Sequence, residues 1–218
     1  MMAEDIASQS RRKMRKMVLS LALGGAIGFS GAVVVGEAIE SGVLGAIDVS
    51  RGVALGVALL YLLMAAMVGF GVLSPKLGAK VLNVEDGQEL IEQRRLLGLS
   101  AIGTLAIGGL LSVLALAAPA GPIPDTPALG IALALGGVAG VSSWIIYREM
   151  DELMHVMVQD AGACAFNALM LVGGTWVALA HLDRVAPPAP LDWLSLFFGV
   201  LLLASFWATW RRGQLAMR

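Results

Sequence analysis

The sequence predicts an all-α protein, a polytopic transmembrane helix bundle with six spans and with both termini in the cytoplasm. Three observations support this fold class. Of the 218 residues, 58% are hydrophobic and 14% are charged, whereas a soluble domain carries about 25% charged residues. Six long uncharged stretches recur along the chain. Lysine and arginine are distributed unevenly between the segments that connect those stretches.

Each uncharged stretch is long enough to cross a bilayer, which needs about 20 apolar residues. The first follows a basic leader at 1–16 and runs uncharged from Met17 to Gly36, which is longer than the 7–15 or so apolar residues of a cleaved signal peptide. We therefore interpret it as a retained span. The alternation of β-barrel strands is not visible. The predicted membrane domain covers 17–212, with a tail at 213–218 and with spans at about 17–38, 52–74, 95–118, 127–148, 160–181 and 192–211.

The distribution of cations predicts the orientation. If the N-terminus is inside, 13 of the 15 lysines and arginines lie on the cytoplasmic side, and only Arg51 and Arg184 lie outside. The positive-inside rule favours this arrangement over its inverse. We expect the inner (plasma) membrane of a bacterium, with the lipid bilayer as the main partner. The net charge of −1 provides no basic field for nucleic acid.

Small residues at four-residue intervals predict close helix packing, because helices in lipid associate through faces that let their backbones approach. The stripe in the first span is the longest. Shorter ones occur in the third span, at Ser100, Thr104, Gly108 and Ser112, and in the fourth, at Ala132, Gly136 and Gly140. These faces are either seams inside the bundle or a seam between copies in a homo-oligomer, and six spans favour internal seams. The predicted packing residues are Ser20, Gly24, Gly28, Ala32, Gly36, Gly136 and Gly140.

Polar residues within the spans are few and uncharged. Tyr61, Thr104, Ser142 and Asn167 are candidates for a polar intramembrane site, and Glu37 lies at the outer end of the first span. Charged-substrate and proton pathways usually place an ionisable residue inside a span. The alternative interpretation is that Asn167 forms an interhelical hydrogen bond and that Glu37 faces water.

The acidic connector before the fifth span contains Glu152 and His155, which share a helical face. Glu-x-x-His is the spacing of di-iron bundles, and Glu89 and Glu92 could supply facing carboxylates, so these residues are a candidate metal site. Only one such motif is present, and a solvated acidic helix explains it more simply. The same connectors could instead dock a partner protein through Glu89, Glu92, Glu149, Asp151 and Glu152.

An echo between the two connectors suggests a duplicated two-span unit. Glu89-Leu90-Ile91-Glu92 precedes the third span, and Glu152-Leu153-Met154-His155 precedes the fifth. Spans two and three would then correspond to spans four and five. Because both connectors lie on one side, the units would run parallel, which differs from the inverted repeats of many transporters.

No cofactor and no catalytic residue is predicted. The sequence has one cysteine and no Walker loop, and His155 and His181 lie at opposite ends of the fifth span, too far apart to ligate one haem. The leading hypothesis is therefore a non-enzymatic accessory, scaffold or regulatory subunit, associated with other membrane subunits or with its own copies. The alternative is a small carrier or channel for a neutral or weakly polar solute.

Overall fold

The computed structural model describes residues 47–74 and 93–212, and in addition residues 28, 30, 31, 33, 36, 37, 41 and 42. No β-strand occurs in this part of the chain, which has one isolated bridge between Ala117 and Ile123. Five of its helices are long and apolar enough to cross a membrane. These are α1 (Val49–Leu73), α2 (Arg94–Ala115), α3 (Asp125–Glu149), α4 (Glu152–His181) and α5 (Pro190–Arg211).

The five helices confirm the predicted class, a bundle of apolar helices of membrane-spanning length. Most of the predicted first span lies outside the described residues. Those of its residues that are described between 28 and 37 are helical. A Cβ atom at Gly31 would lie 3.0 Å from Leu59 on α1, so this segment approaches α1 closely. The count of six spans and the cytoplasmic position of both termini stay predictions.

Side-chain caps set where two of the helices begin, and a proline marks the start of a third. The first backbone N–H groups of a helix have no intrahelical acceptor. The carboxylate of Asp48 accepts the N–H of Arg51 at 2.9 Å in α1, and Asp151 accepts the N–H of Met154 at 2.7 Å in α4. Because of the second cap, α4 begins at Glu152 rather than near residue 160, so the acidic connector and the fifth predicted span form one helix of 30 residues. Pro190 occupies the first position of α5, where its missing N–H has no cost.

The helices pack in the order α3–α2–α1–α5–α4. The Arg51 end of the bundle contains the N-termini of α1 and α5 and the C-terminus of α2. The opposite end, the Arg95 end, holds Arg95 paired with Glu149 at 2.8 Å and Arg212 paired with Asp160. Of the described cations, only Arg51 and Arg184 lie at the Arg51 end. This matches the asymmetry from which the orientation was predicted.

Tryptophan and arginine pair near the Arg95 end. The guanidinium of Arg148 lies 5.8 Å from the ring centroid of Trp144, and that of Arg211 lies 5.2 Å from the ring centroid of Trp207. Both pairs combine a cation–π contact with the amphipathic residues that favour a membrane–water interface. They indicate where α3 and α5 leave the hydrocarbon.

Glycine allows close approach at two of the seams. A Cβ atom at Gly108 would lie 2.9 Å from Leu62 of α1. A Cβ atom at Gly173 would lie 2.7 Å from the ring of Trp193 on α5. Gly108 belongs to the stripe predicted in the third span, whereas Gly173 was not among the predicted packing residues. Both are of the small-residue class that such seams use.

The predicted packing stripes are used only in part. A Cβ atom at Gly136 would lie 3.5 Å from Leu110 on α2, so Gly136 belongs to an internal seam. Positions 140, 28 and 36 have no atom within 4 Å of a Cβ, so Gly140, Gly28 and Gly36 border open space among the described residues. The remaining members of the first stripe, Ser20, Gly24 and Ala32, lie outside the described residues.

The two predicted repeat units pack differently. The helices of the first unit, α1 and α2, form the most extensive seam of the bundle. The helices of the second unit, α3 and α4, are joined by Met150 and Asp151 but do not pack along each other. The sequence echo therefore has no counterpart in the packing of the described residues.

Candidate functional site

Tyr61 serves to join two helices. Its side chain is 5% exposed, and its hydroxyl donates to the carbonyl of Phe198 on α5 at 2.9 Å. The two rings meet edge to face, with centroids 6.0 Å apart. The hydroxyl of Tyr61 lies in the apolar α1–α5 seam, where a polar group needs a hydrogen-bond partner. The carbonyl of Phe198 provides that partner.

The other predicted intramembrane polar residues do not join Tyr61. Thr104 donates to the carbonyl of Ser100 on its own helix at 2.6 Å, and Ser142 is buried at the α2–α3 seam beside Gly103. Asn167 donates to the carbonyl of Ala163 at 2.8 Å on an exposed face of α4. Glu37 is exposed. In the part of the chain that is described, these residues lie in separate places and line no common cavity.

The candidate metal residues form a local arrangement at the start of α4. The Nδ1 atom of His155 lies 2.9 Å from the carbonyl oxygen of Asp151. Because a carbonyl only accepts, Nδ1 carries the proton and Nε2 is left for another partner. The ring of Tyr147 meets the imidazole edge to face, with centroids 4.8 Å apart. Glu152 is exposed, and no group of three or more potential ligands is found within the described ranges.

The acidic residues that were predicted to dock a partner have intramolecular roles where they are described. Glu149 pairs with Arg95, and Asp151 caps α4. Glu152 lies in the first turn of that helix, where a negative charge interacts favourably with the helix dipole. Glu89 and Glu92 lie outside the described residues.

A site that the sequence did not predict lies at the Arg51 end. The side chain of Arg51 reaches across to α2, where its Nη1 atom donates to the carbonyls of Ala115 at 2.9 Å and Ala117 at 2.7 Å. Ala115 is the last residue of α2, where a helix leaves carbonyl acceptors unpaired and where its dipole favours a cation. Ala117 lies two residues further on, and its carbonyl also accepts the N–H of Gly121 at 3.1 Å. Arg51 thus ties the start of α1 to the end of α2.

A pocket of about 340 Å³ opens beside Arg51. Its polar lining comes from the N-terminal turn of α1, and its apolar lining comes from α2 and from the start of α5. The lining residues are Asp48, Ser50, Arg51, Leu114, Ala189, Pro190, Leu191 and Leu194. The hydroxyl oxygen of Ser50 is buried and has no hydrogen-bond partner among the residues that the structure describes. In the sequence Arg51 is only one of two outer cations. Asp48, three residues earlier, is a residue type that marks a helix start, but it does not indicate where the guanidinium of Arg51 lies.

A second feature is the gap between α3 and α4. Helix α3 packs on α2, and α4 packs on α5, but neither packs along the other. Only their adjoining ends meet, through the contact of Tyr147 with His155. Each of these two helices therefore presents a long face that no described residue covers.

Comparison of the chain with protein-family models, with curated proteins and with solved structures finds no match.

Proposed function

We propose that this protein is a non-enzymatic accessory or scaffold subunit of a membrane assembly in the inner membrane of a bacterium. The observation that supports this proposal is the gap between α3 and α4, which no described residue covers. The exposed faces of α3 and α4 lie opposite α2 and α5. Besides large apolar side chains, they carry glycines and an amide, which favour contact with another helix.

The uncovered face of α3 carries Gly130, Ala134 and Gly137, which share one side of the helix at intervals of four and three residues. All three are exposed, and no atom lies within 4 Å of a Cβ at either glycine. The opposite side carries Ala128 and Ala132, which are buried against α2. A shallow ridge of this kind lets a second helix approach closely, whereas it offers lipid little to pack against.

The uncovered face of α4 carries Asn167 and Gly174, which are two helical turns apart. The amide nitrogen of Asn167 bonds only to its own helix, which leaves the amide oxygen without a donor among the described residues. An unsatisfied amide in hydrocarbon costs free energy. A polar partner on a neighbouring helix would satisfy it. The side chain thus favours a protein neighbour over lipid at this position.

The test is native mass spectrometry of the protein extracted from its own membrane in a mild detergent. We expect a companion protein or a homo-oligomer at fixed stoichiometry. In Gly137→Leu this association should weaken at least tenfold, because leucine would fill the space that the partner helix occupies. Ile131→Phe adds bulk to the same helix away from the ridge and is the matched control, since Ile131 is also exposed.

A wild-type protein that is monomeric and carries no other protein would contradict the proposal. So would equal association of Gly137→Leu and wild type. The alternative of a carrier for a neutral solute has no comparable observation in its favour, since the polar residues predicted to bind that solute lie in separate places.

A further inference from the structure

Arg51 retains binding capacity beyond its structural contacts. A guanidinium has five N–H donors, and the two described bonds of this side chain both use Nη1. The three donors on Nε and Nη2 have no acceptor among the described residues. No carboxylate in this part of the chain forms an ion pair with Arg51, since Asp48 accepts its backbone N–H instead. A fixed positive charge therefore borders the pocket without a counter-ion.

The hydroxyl of Ser50 adds a second group that has no hydrogen-bond partner among the described residues. Its oxygen is buried, although Ser50 lines the same pocket as Arg51. A buried hydroxyl without a partner is unfavourable, and rotation of the Ser50 side chain toward the pocket would give it a ligand oxygen as a partner. The N-termini of α1 and α5 both adjoin the pocket through their cap residues Asp48 and Ala189. Helix N-termini carry partial positive charge, so their dipoles favour an anion at this position.

The other walls of the pocket select the rest of the ligand. Leu114, Leu191 and Leu194 provide an apolar surface next to the polar groups. A volume of about 340 Å³ is at the small end of the range for small-molecule sites. The carboxylate of Asp48 on the same lining opposes a dianion and favours a ligand with a single negative charge, or one that also carries an ammonium group.

We infer that the pocket at the Arg51 end binds an amphipathic oxyanion, which is a singly charged phosphate ester or carboxylate joined to an apolar group. The oxyanion contacts the free Nε and Nη2 donors of Arg51 and the hydroxyl of Ser50. The apolar group packs on the three leucines. Such a ligand has two sources, a phospholipid headgroup in the adjacent leaflet or a soluble organic anion. The pocket lies where three helices of spanning length begin or end, so it is accessible to both.

The experiment measures binding to the full chain, purified and delipidated in a neutral maltoside detergent. The probes are dioleoylphosphatidylglycerol, dioleoylphosphatidylcholine and dibutyl phosphate, each titrated while the thermal unfolding midpoint is followed. Dibutyl phosphate is a diester and therefore carries a single negative charge. Phospholipid stabilisation without an effect of dibutyl phosphate would identify the bilayer as the source. Stabilisation by dibutyl phosphate would identify a soluble anion. If no probe raises the midpoint, the inference is wrong.

Variants locate the binding in the pocket. Ala189→Phe fills the pocket without removing the bonds of Arg51, and Ala186→Phe is the matched control because Ala186 lies in the same loop but does not line the pocket. We expect at least tenfold weaker binding in Ala189→Phe, which corresponds to about 1.4 kcal/mol, several-fold weaker binding in Ser50→Ala, and no change in Ala186→Phe. Arg51→Gln should abolish binding. Arg51→Gln also loses the contacts with α2 and therefore could fail to fold. In that case Ala189→Phe and Ser50→Ala decide the result. Equal binding by Ala189→Phe, Ser50→Ala and wild type would overturn the inference.

Discussion

A methyl group added at Gly108 tests how closely α1 and α2 approach each other. In Gly108→Ala the new Cβ would lie 2.9 Å from both Cγ and Cδ2 of Leu62 and 3.1 Å from the carbonyl oxygen of Ala58. The first two distances are well inside van der Waals contact, which is about 3.5–4.0 Å for two carbons. Gly108 is buried, and the backbone oxygen of Ala58 cannot rotate away. The two helices therefore have to separate, or Leu62 has to leave its rotamer.

The expected cost follows from these distances. Extra methylenes in a well-packed core cost about 1–3 kcal/mol. Alanine recovers up to about 1 kcal/mol through its higher helix propensity. We therefore expect Gly108→Ala to lower the free energy of unfolding by up to about 2 kcal/mol, because the steric cost offsets or exceeds the propensity gain.

The assay is reversible unfolding in mixed micelles, followed by circular dichroism. Gly98→Ala is the matched control on the same helix, since no atom lies within 4 Å of a Cβ at Gly98. It should be neutral, or stabilising by a few tenths of a kcal/mol to about 1 kcal/mol. If Gly108→Ala and Gly98→Ala have the same unfolding free energy, the close approach of α1 and α2 at Gly108 is refuted.

Three further predictions concern the other seams and the orientation. Tyr61→Phe should lower the unfolding free energy by about 0.5–1.5 kcal/mol, because the carbonyl of Phe198 loses its 2.9 Å donor; an unchanged value in the same micelle assay would contradict the α1–α5 contact. Gly173→Ala should displace the ring of Trp193, 2.7 Å from the new Cβ, and shift the tryptophan fluorescence, whereas Gly174→Ala, with open space around it, should not. A reporter protein that functions only in the cytoplasm should be active when it is fused to either terminus. Activity at either terminus of a reporter that functions only in the periplasm would contradict the predicted topology.

The class of fold follows from the sequence alone because each helix in a bilayer satisfies its own backbone hydrogen bonds. A run of about 20 apolar residues is then sufficient to predict a span. Five of the six predicted spans coincide with helices of spanning length. The main difference is the start of α4. There the Asp151 cap lies in a charged segment that hydropathy excludes, yet it extends the helix through the whole connector.

The sites depend on contacts between segments that are far apart in the chain. The hydropathy of Arg51 is that of any loop cation, and nothing local indicates that its guanidinium reaches carbonyls more than 60 residues later. In the sequence, Tyr61 and Asn167 are both uncharged polar residues within a predicted span. The structure places Tyr61 inside a seam and Asn167 on an uncovered face. Which helix faces another is decided by side-chain packing between helices. In lipid, all sides of an apolar helix have similar composition, so the sequence alone does not identify the buried side.

The fold class, the position of five helices and the asymmetry of charge between the two ends follow from the sequence, because these depend on local composition. The order in which the helices pack, the gap between α3 and α4 that no described residue covers, and the pocket beside Arg51 become visible only in the folded chain. Each of these depends on where distant segments meet, and composition carries no information about that.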